Sequence, residues 1–404
     1  MAARELTHAG KDVCVIEASK RVGGRIMTLY GTSAGTPVEL GAEFVHGDAP
    51  VTTRLLDEAR LVTVPVTGKQ YRSDHGELSP QGPIWERMES VFRYLKPDRK
   101  KDRSFQDFLD EKPGGAGLRR ERELARGFVE GFFAADTRLI SEKSLAQADP
   151  TDGASEARRV VNGYGALIDY MQRDVARKIR FGSPVTRIVV SETDVRVFDR
   201  RGEQYRARAV VIAVPLPILQ DESFAIDPEI PMLRNSARQL VMGNVTHVSI
   251  VVKERFWEKK ARALSYVHSP TRPFNVWWTK HPLLTPVITG WSGGPHALEL
   301  AEGGDVEGSA LKEIARAFGM QKTRIEALVE SMHRNDWTRD PNFRGAYSYV
   351  GVGGSHAPSM LARAFANRIF LAGEATDSGS SGTVEGALAT GKRAARKVLQ
   401  RGLR

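Results

Sequence analysis

The sequence has few of the features that mark secreted or membrane proteins. Cys14 is its single cysteine, which excludes a disulfide framework and a cysteine-based zinc site. The longest apolar run, Ala209 to Leu219, contains two prolines and is well short of the ~20 residues that a membrane-spanning helix needs. The first ten residues lack the apolar segment of a secretory signal. We therefore predict a cytoplasmic protein without a membrane span.

Charge and composition are those of an ordinary folded protein. The 404 residues include 41% hydrophobic residues and carry a formal net charge of +10, and a chain of this length favours two domains. Basic and acidic residues alternate along Arg119 to Arg126, as on a solvated helix face. No nucleic-acid-binding motif accompanies the charge, so we expect no nucleic-acid partner. The spacing of the histidines suits no metal site.

Strand and helix patterns predict an α/β protein whose chain alternates between a first domain with a strand, helix, strand unit and a second domain with its own sheet and helices. The first domain takes the helix Ala2 to Leu6, the strand Asp12 to Glu17, the interior strand Val210 to Pro215 and the strand Arg368 to Ala372 before a helix over Thr383 to Leu399. Further segments are predicted as follows: helices at 85–95, 105–110, 118–134, 141–147, 308–318 and 322–331; a meander over 179–208; strands at 246–253, 263–268 and 274–279.

The first motif follows the acid-terminated strand and reads EASKRVGGR from Glu17. An acid at this place can accept hydrogen bonds from ribose hydroxyls. Gly23 and Gly24 let the backbone approach a ligand closely, and Arg25 can neutralise a pyrophosphate. Taken alone, the segment is equally well interpreted as a surface turn.

The second motif, RIFLAGEATDSGSSGTVEGA, begins at Arg368. A strand leads into Gly373 and Glu374, and a loop rich in glycine and serine precedes a long helix. The start of that helix presents free N–H groups and the positive end of the helix dipole. The two motifs together indicate a site for an electron-rich ligand.

With these motifs in place, the sequence resembles the flavin amine oxidase family over nearly its whole length. Shared segments include ELGAEFVHG, NGYGAL, VVIAVPLP, FWEKK, GAYSY and LAGEAT. The resemblance implies a discontinuous, doubly wound FAD domain beside a substrate domain with a mixed sheet and helices. The implied FAD-domain segments are 1–52, 159–240 and 339–404, and the implied substrate-domain segments are 53–158 and 241–338.

The resemblance also implies how FAD is held. It assigns Glu17 to the adenosine ribose and Val185 to the adenine. Gly23, Gly24 and Arg25 are expected to lie along the cofactor. Gly373 and Glu374 are expected to contact the ribityl and diphosphate part, and Thr383 and Val384 the flavin ring. Ala346 occupies the position of the cysteine that tethers FAD in monoamine oxidases, so the FAD is expected to be non-covalent.

The implied reaction is removal of a hydride from the carbon beside an uncharged amine, with O2 reduced to H2O2 and the imine hydrolysed. Tyr347 is predicted to form an aromatic wall, with Trp337 beside the flavin and Thr383 in place of a second tyrosine. Lys260 is predicted to assist the reaction with oxygen. His46 resembles a histidine at the mouth of polyamine oxidase sites.

One expected motif is missing, and other functions remain open. The family's first strand and Gly-x-Gly-x-x-Gly loop do not precede Ala2, which fits either a start assigned too late or a truncated relative that binds FAD poorly. The alternatives are a flavin-free or inactive relative, and a flavoprotein acting on a porphyrinogen or a carotenoid. Neither the particular amine nor the oligomeric state follows from the sequence.

Overall fold

The computed structural model describes residues 1–82, 84–148 and 156–402. Residues 149–155 and 403–404, which fall in two of the predicted domain segments, lie outside the described residues, as do Pro83 and the side chains of Trp85 and Glu86. The described helices are α1 (Ala2–His8), α2 (Pro50–Glu58), α3 (Ile84–Phe92), α4 (Phe105–Asp110), α5 (Arg119–Phe132), α6 (Glu142–Gln147), α7 (Tyr164–Gln172), α8 (Leu216–Gln220), α9 (Pro231–Arg238), α10 (Pro295–Gly303), α11 (Val306–Ala317), α12 (Lys322–Leu328), α13 (Ala357–Leu361) and α14 (Val384–Gln400).

The described strands range from two to eight residues in length. They are β1 (Val15–Ile16), β2 (Thr28–Leu29), β3 (Val38–Glu39), β4 (Phe44–His46), β5 (Thr63–Pro65), β6 (Lys69–Asp74), β7 (Glu77–Gln81), β8 (Ala157–Val160), β9 (Ile179–Arg180), β10 (Val185–Val190), β11 (Val195–Asp199), β12 (Gln204–Ala207), β13 (Val210–Ile212), β14 (Ala225–Asp227), β15 (Leu240–Met242), β16 (Val245–Val252), β17 (Leu264–His268), β18 (Val276–Thr279), β19 (Val287–Gly293), β20 (Val329–His333), β21 (Ser348–Val350), β22 (Ala364–Phe365) and β23 (Ile369–Leu371).

A seven-stranded mixed sheet is the largest of the described sheets. Its order is β20-β16-β19-β18-β17-β6-β7, and β17 runs parallel to β6 while the other neighbours are antiparallel. Every residue of β16 is buried, because one face of this central strand packs under α11 and the other faces the interior of the molecule. The predicted strands at 246–253, 263–268 and 274–279 are confirmed as β16, β17 and β18.

The other described sheets have two to four strands. β1 pairs in parallel with β9, and β13 pairs in parallel with β23. The predicted meander is confirmed as the antiparallel strands β10, β11 and β12, with Gly202 at a positive φ of 84° in the turn. The predicted α/β class is confirmed, while the domain boundaries stay predictions.

Three sequence predictions need correction. The strand expected over Asp12 to Glu17 is limited to the two residues of β1. β13, expected inside a sheet, lies at an edge and pairs, among the described strands, with β23 alone. The helix expected to run to Ser331 ends at Leu328, because Val329–His333 pairs with the buried strand β16 instead; backbone pairing there outweighs a weak helix propensity.

Among the described residues, no helix combines the length and the apolar character needed to cross a membrane.

Candidate active site

A cavity of about 2050 Å³ separates the small sheets from the large one. Most of the residues predicted for the site line it. The predicted lining residues are Glu17, Gly23, Gly24, Arg25, Val185, Trp337, Tyr347, Gly373, Glu374, Thr383 and Val384. Both predicted motifs, which are more than 300 residues apart in the sequence, therefore open into one space.

Glu17 directly follows β1 and accepts a hydrogen bond from the Ser19 N–H at 2.7 Å. Burial raises the pKa of its carboxyl group above the ordinary value. Val185 lies across the cavity wall on β10, next to an irregularity in the strand register. This end of the cavity has the acid and the apolar contact that a ribose and an adenine need.

The glycine pair is clamped by an arginine that the sequence analysis did not single out. Gly23 and Gly24 have positive φ values of 98° and 58°. Arg21 donates to the Gly24 carbonyl at 2.6 Å and to the Ile26 carbonyl at 2.9 Å. A side chain at Gly24 would project into open space, so the backbone conformation favours glycine here and crowding does not. The signal for Arg21 was its position two residues before the pair.

Arg25 and Glu374 join the two motifs. The Arg25 guanidinium donates to the Ala346 carbonyl and, at 3.1 Å, to Glu374 Oε1. Glu374 is buried and also accepts from the Ser348 hydroxyl at 2.7 Å and from the Gly382 N–H at 3.1 Å. The carboxylate predicted to meet the cofactor is thus engaged by protein donors, and it positions Arg25 and the glycine-rich loop.

Thr383 caps the helix whose start faces the cavity. Its hydroxyl accepts from the Gly386 N–H at 3.0 Å and donates to the Ser380 carbonyl at 2.6 Å. The hydroxyl thus stabilises the start of α14, and the catalytic role of Thr383 stays a prediction. The two N–H groups of Val384 and Glu385 remain at the positive end of the helix dipole.

Tyr347 lies between the two ends of the cavity. Its hydroxyl donates to the Phe132 carbonyl at 2.7 Å, and its ring packs against Gly382, where an added Cβ would lie 3.2 Å from the ring. Burial raises the pKa of the Tyr347 hydroxyl well above its ordinary value, so the side chain is a neutral aromatic wall. Trp337 is buried and donates to the Leu40 carbonyl at 2.9 Å.

Lys260 does not line this cavity. Its ammonium group donates to the Phe318 carbonyl at 2.9 Å, at the end of the 3₁₀ helix Phe256–Lys259. Phe256 and Trp257 are buried against Phe318 in the core between the large sheet and α11, and this anchors the neighbouring lysine there. The prediction that Lys260 acts on oxygen at the site is therefore withdrawn.

The aromatic residues of the inner cavity come from elements that the motifs did not reveal. Trp278 and Trp291 lie on neighbouring strands with ring centroids 5.5 Å apart. His247 on β16 lies 6.0 Å from the Trp291 ring and contacts the Ser249 hydroxyl at 3.2 Å. Burial lowers the pKa of His247, so its imidazole is neutral near pH 7. Alternation along the strands was the one available signal.

His46 lies on β4 and does line the cavity. Its ring is 5.7 Å from Phe44 and 5.6 Å from Phe132, which places it in the aromatic part. Over the residues that the structure describes, no group of three or more His, Cys, Asp or Glu side chains is arranged to hold a metal ion.

The arrangement fits a flavin dinucleotide. Gly24 and Gly373 both have positive φ, and a Cβ at either position would meet no atom within 4 Å, so both form an open cradle. Arg25 and the start of α14 supply positive charge, and Glu17 supplies an acceptor for a ribose.

Comparison with known proteins agrees with this geometry. The family described as flavin containing amine oxidoreductase matches residues 1–399. The chain therefore belongs to the flavin-containing amine oxidoreductases. This membership confirms the predicted family and its cofactor FAD. Ala346 has no sulfur for a thioether, which agrees with non-covalent attachment.

Individual relatives cover almost the whole chain. Polyamine oxidase 2 of Arabidopsis thaliana is 29% identical over 99% of this chain and 86% of its own length. The flavin-containing amine oxidase B of Homo sapiens is 25% identical over 99% of this chain and 84% of its own length. Among solved structures, putrescine oxidase bound to putrescine has a TM-score of 0.83 at 21% identity, covering 99% of this chain and 96% of the other. Cyclohexylamine oxidase from Brevibacterium oxydans has a TM-score of 0.84 at 20% identity, covering 100% and 96%.

Proposed function

We propose that this chain oxidises an amine to an imine, uses non-covalent FAD as cofactor and O2 as electron acceptor, and forms H2O2. The observation that carries the proposal is one cavity with a glycine-lined end beside a helix start and an aromatic end, with Tyr347 between them. When bound, the flavin supplies a two-electron acceptor for a hydride from the carbon beside the amine nitrogen.

The residues of the chain have three tasks in this proposal. Arg25 and the start of α14 offset the negative charge of the cofactor. The aromatic side chains exclude water and favour the uncharged amine, because desolvation disfavours its protonated form. Tyr347 orients the substrate carbon by packing, since its hydroxyl already has a protein partner. Trp337 lies near Arg21 and the glycine pair and packs beside the cofactor.

The test uses the protein reconstituted with FAD. Anaerobic mixing with a panel of amines that carry no other charged group should bleach the flavin absorbance. Admission of O2 should restore the absorbance and release H2O2. Bleaching without peroxide release would show that the electron acceptor is not O2. No bleaching with any amine would contradict amine oxidation.

A matched pair of variants tests the role of Tyr347. Tyr347→Phe keeps the ring and should retain the rate of flavin bleaching within a few-fold. Tyr347→Ala removes the wall and should lower that rate by roughly 10- to 100-fold, the scale of a misplaced substrate. Equal rates in both variants would show that the ring does not position the substrate.

A further inference from the structure

One face of α5 lines the cavity over the whole length of the helix. The lining residues are Arg119, Arg120, Glu123, Leu124, Gly127, Phe128, Gly131 and Phe132. At 1.5 Å per residue, Arg120 and Phe132 lie about 18 Å apart along the axis. Phe132 is the inner end, since its carbonyl accepts the hydrogen bond of Tyr347, and the exposed Arg119 and Arg120 are the outer end.

Among the residues that the structure describes, the inner part offers no free carboxylate to a second ammonium group. Glu43 is the acidic residue there, and its two oxygens accept from Arg159 at 2.7 Å and from the Trp278 indole at 3.0 Å. Burial alone would raise the pKa of Glu43, but Arg159 and Lys280 hold it below the ordinary value. Trp278, Trp291 and Phe132 also line this part, and their rings suit an apolar substrate body.

The outer opening carries an excess of positive charge over the side chains that the structure describes. The charged residues that line it are Arg72, Arg87, Arg119, Arg120 and Glu123, while Arg272 lies farther in, beside Gly127.

Most of these charges have a partner. Arg72 pairs with Asp74 at 3.7 Å, Arg87 with Glu121 at 3.2 Å, Arg272 with Glu130 at 2.9 Å, and Glu123 with Arg126 at 3.9 Å. Arg120 also acts on Glu121 and helps to lower its pKa, but Glu121 is already the ion-pair partner of Arg87. Positive charge is therefore left over at the opening, and Arg119 and Arg120 are its exposed carriers.

From this arrangement, and resting on the proposed amine oxidation, we infer that the cavity takes a long monoamine with an apolar body and an anionic far end. The amine enters first and reaches the aromatic part near Tyr347, while a carboxylate at the far end stays beside Arg119 and Arg120. A neutral far end is accepted less well, and a second ammonium group is repelled at the opening. The substrate class thus differs from the polyamines named for some relatives.

Three ligands of one chain length isolate the charge at the far end: 12-aminododecanoate, 1-aminododecane and 1,12-diaminododecane. Binding to the FAD-loaded protein is followed by tryptophan fluorescence, because Trp278 and Trp291 line the cavity, and kcat/KM is measured in parallel. At low salt we expect the carboxylate to bind roughly 10-fold more tightly than the diamine, and 0.5 M salt should remove most of the difference.

Charge reversal at the rim supplies the second arm. Arg119→Glu/Arg120→Glu should invert the preference between the carboxylate and the diamine. Acidic residues at a helix start are favourable, so the variant should fold. Arg396→Glu makes the same type of charge change at an exposed position away from the cavity and should keep the wild-type order.

The outcomes separate the two proposals. Diamine binding equal to or tighter than that of the carboxylate in the wild type would overturn the inference, as would an unchanged order in the double variant. If the binding order is as expected but no amine is oxidised, the charge selectivity stands and the proposed oxidation fails.

Discussion

At the scale of single residues, Lys260 illustrates how neighbouring aromatic residues decide the position of a charge. Its ammonium group is held by the Phe318 carbonyl because Phe256 and Trp257 are anchored in the core beside it. Lys260→Met should leave flavin reoxidation by O2 within two-fold of wild type and should lower the free energy of unfolding by roughly 0.5–1.5 kcal/mol, the scale of one hydrogen bond. Stopped-flow reoxidation and urea unfolding check both expectations. If Lys260→Met slowed flavin reoxidation without a change in the free energy of unfolding, Lys260 would act in the reaction with O2.

Arg25 and Glu374 form a pair whose halves depend on each other. Arg25→Met leaves the buried Glu374 carboxylate without its cation, although the donors from Ser348 and Gly382 remain. We expect the variant to lose flavin on gel filtration, with the apparent Kd for FAD raised at least ~10-fold, a loss of one charge-assisted contact. The ratio of flavin to protein absorbance gives the measurement.

A double-mutant cycle controls this second prediction. Glu374→Gln removes the buried charge, so the combined variant should be more stable than the sum of the two single effects predicts. Strict additivity of the melting-temperature shifts would mean that the two side chains do not interact.

At the scale of elements, a buried carboxyl group joins β3 to α7. Glu39 accepts from the Thr28 hydroxyl at 2.6 Å and from the Tyr164 N–H at the start of α7 at 2.8 Å. Burial raises its pKa to about 7, against 4.5 as the ordinary value. The folded state therefore binds the proton more tightly than the unfolded state, and the stability that this proton supplies is lost as pH rises from about 4.5 through about 7.

Glu39→Gln removes this dependence because the amide cannot ionise. Between pH 5 and pH 8 the free energy of unfolding of the wild type should fall relative to that of the variant by roughly 1–3 kcal/mol. Urea unfolding at several pH values gives the comparison. Glu302→Gln, at an exposed position, should follow the wild-type profile, and parallel profiles for wild type and Glu39→Gln would contradict the shifted pKa.

At the scale of the whole molecule, the cavity lies between two groups of elements, and the residues of both motifs that are assigned to FAD line it. Excess FAD should raise the free energy of unfolding by about 2.7 kcal/mol at 100 times its Kd, seen as a higher melting temperature. Acid precipitation of the loaded protein should leave all flavin in the supernatant, since Ala346 cannot form a thioether. Yellow colour in the pellet would contradict non-covalent binding. An unchanged melting temperature would contradict the binding of FAD in the cavity.

The sequence alone determined the local features of this protein. The glycine pair and the loop before α14 could be predicted, because Gly23 and Gly373 have φ values of 98° and 117° that strongly favour glycine. The helix Phe105–Asp110 and strands β16 to β18 could be predicted from their periodicity. The membership of the family followed from the same motifs.

Tertiary structure alone decided which side chains contact each other. It assigned the hydroxyl of Thr383 to a helix cap, the carboxylate of Glu374 to Arg25, and Lys260 to a carbonyl outside the cavity. It also brought His247, Trp278 and Trp291 together from strands whose alternating pattern does not say which face lines a site. Their positions depend on pairing between distant segments and on competition for hydrogen-bond partners, and neither is encoded in the spacing of residues along the chain.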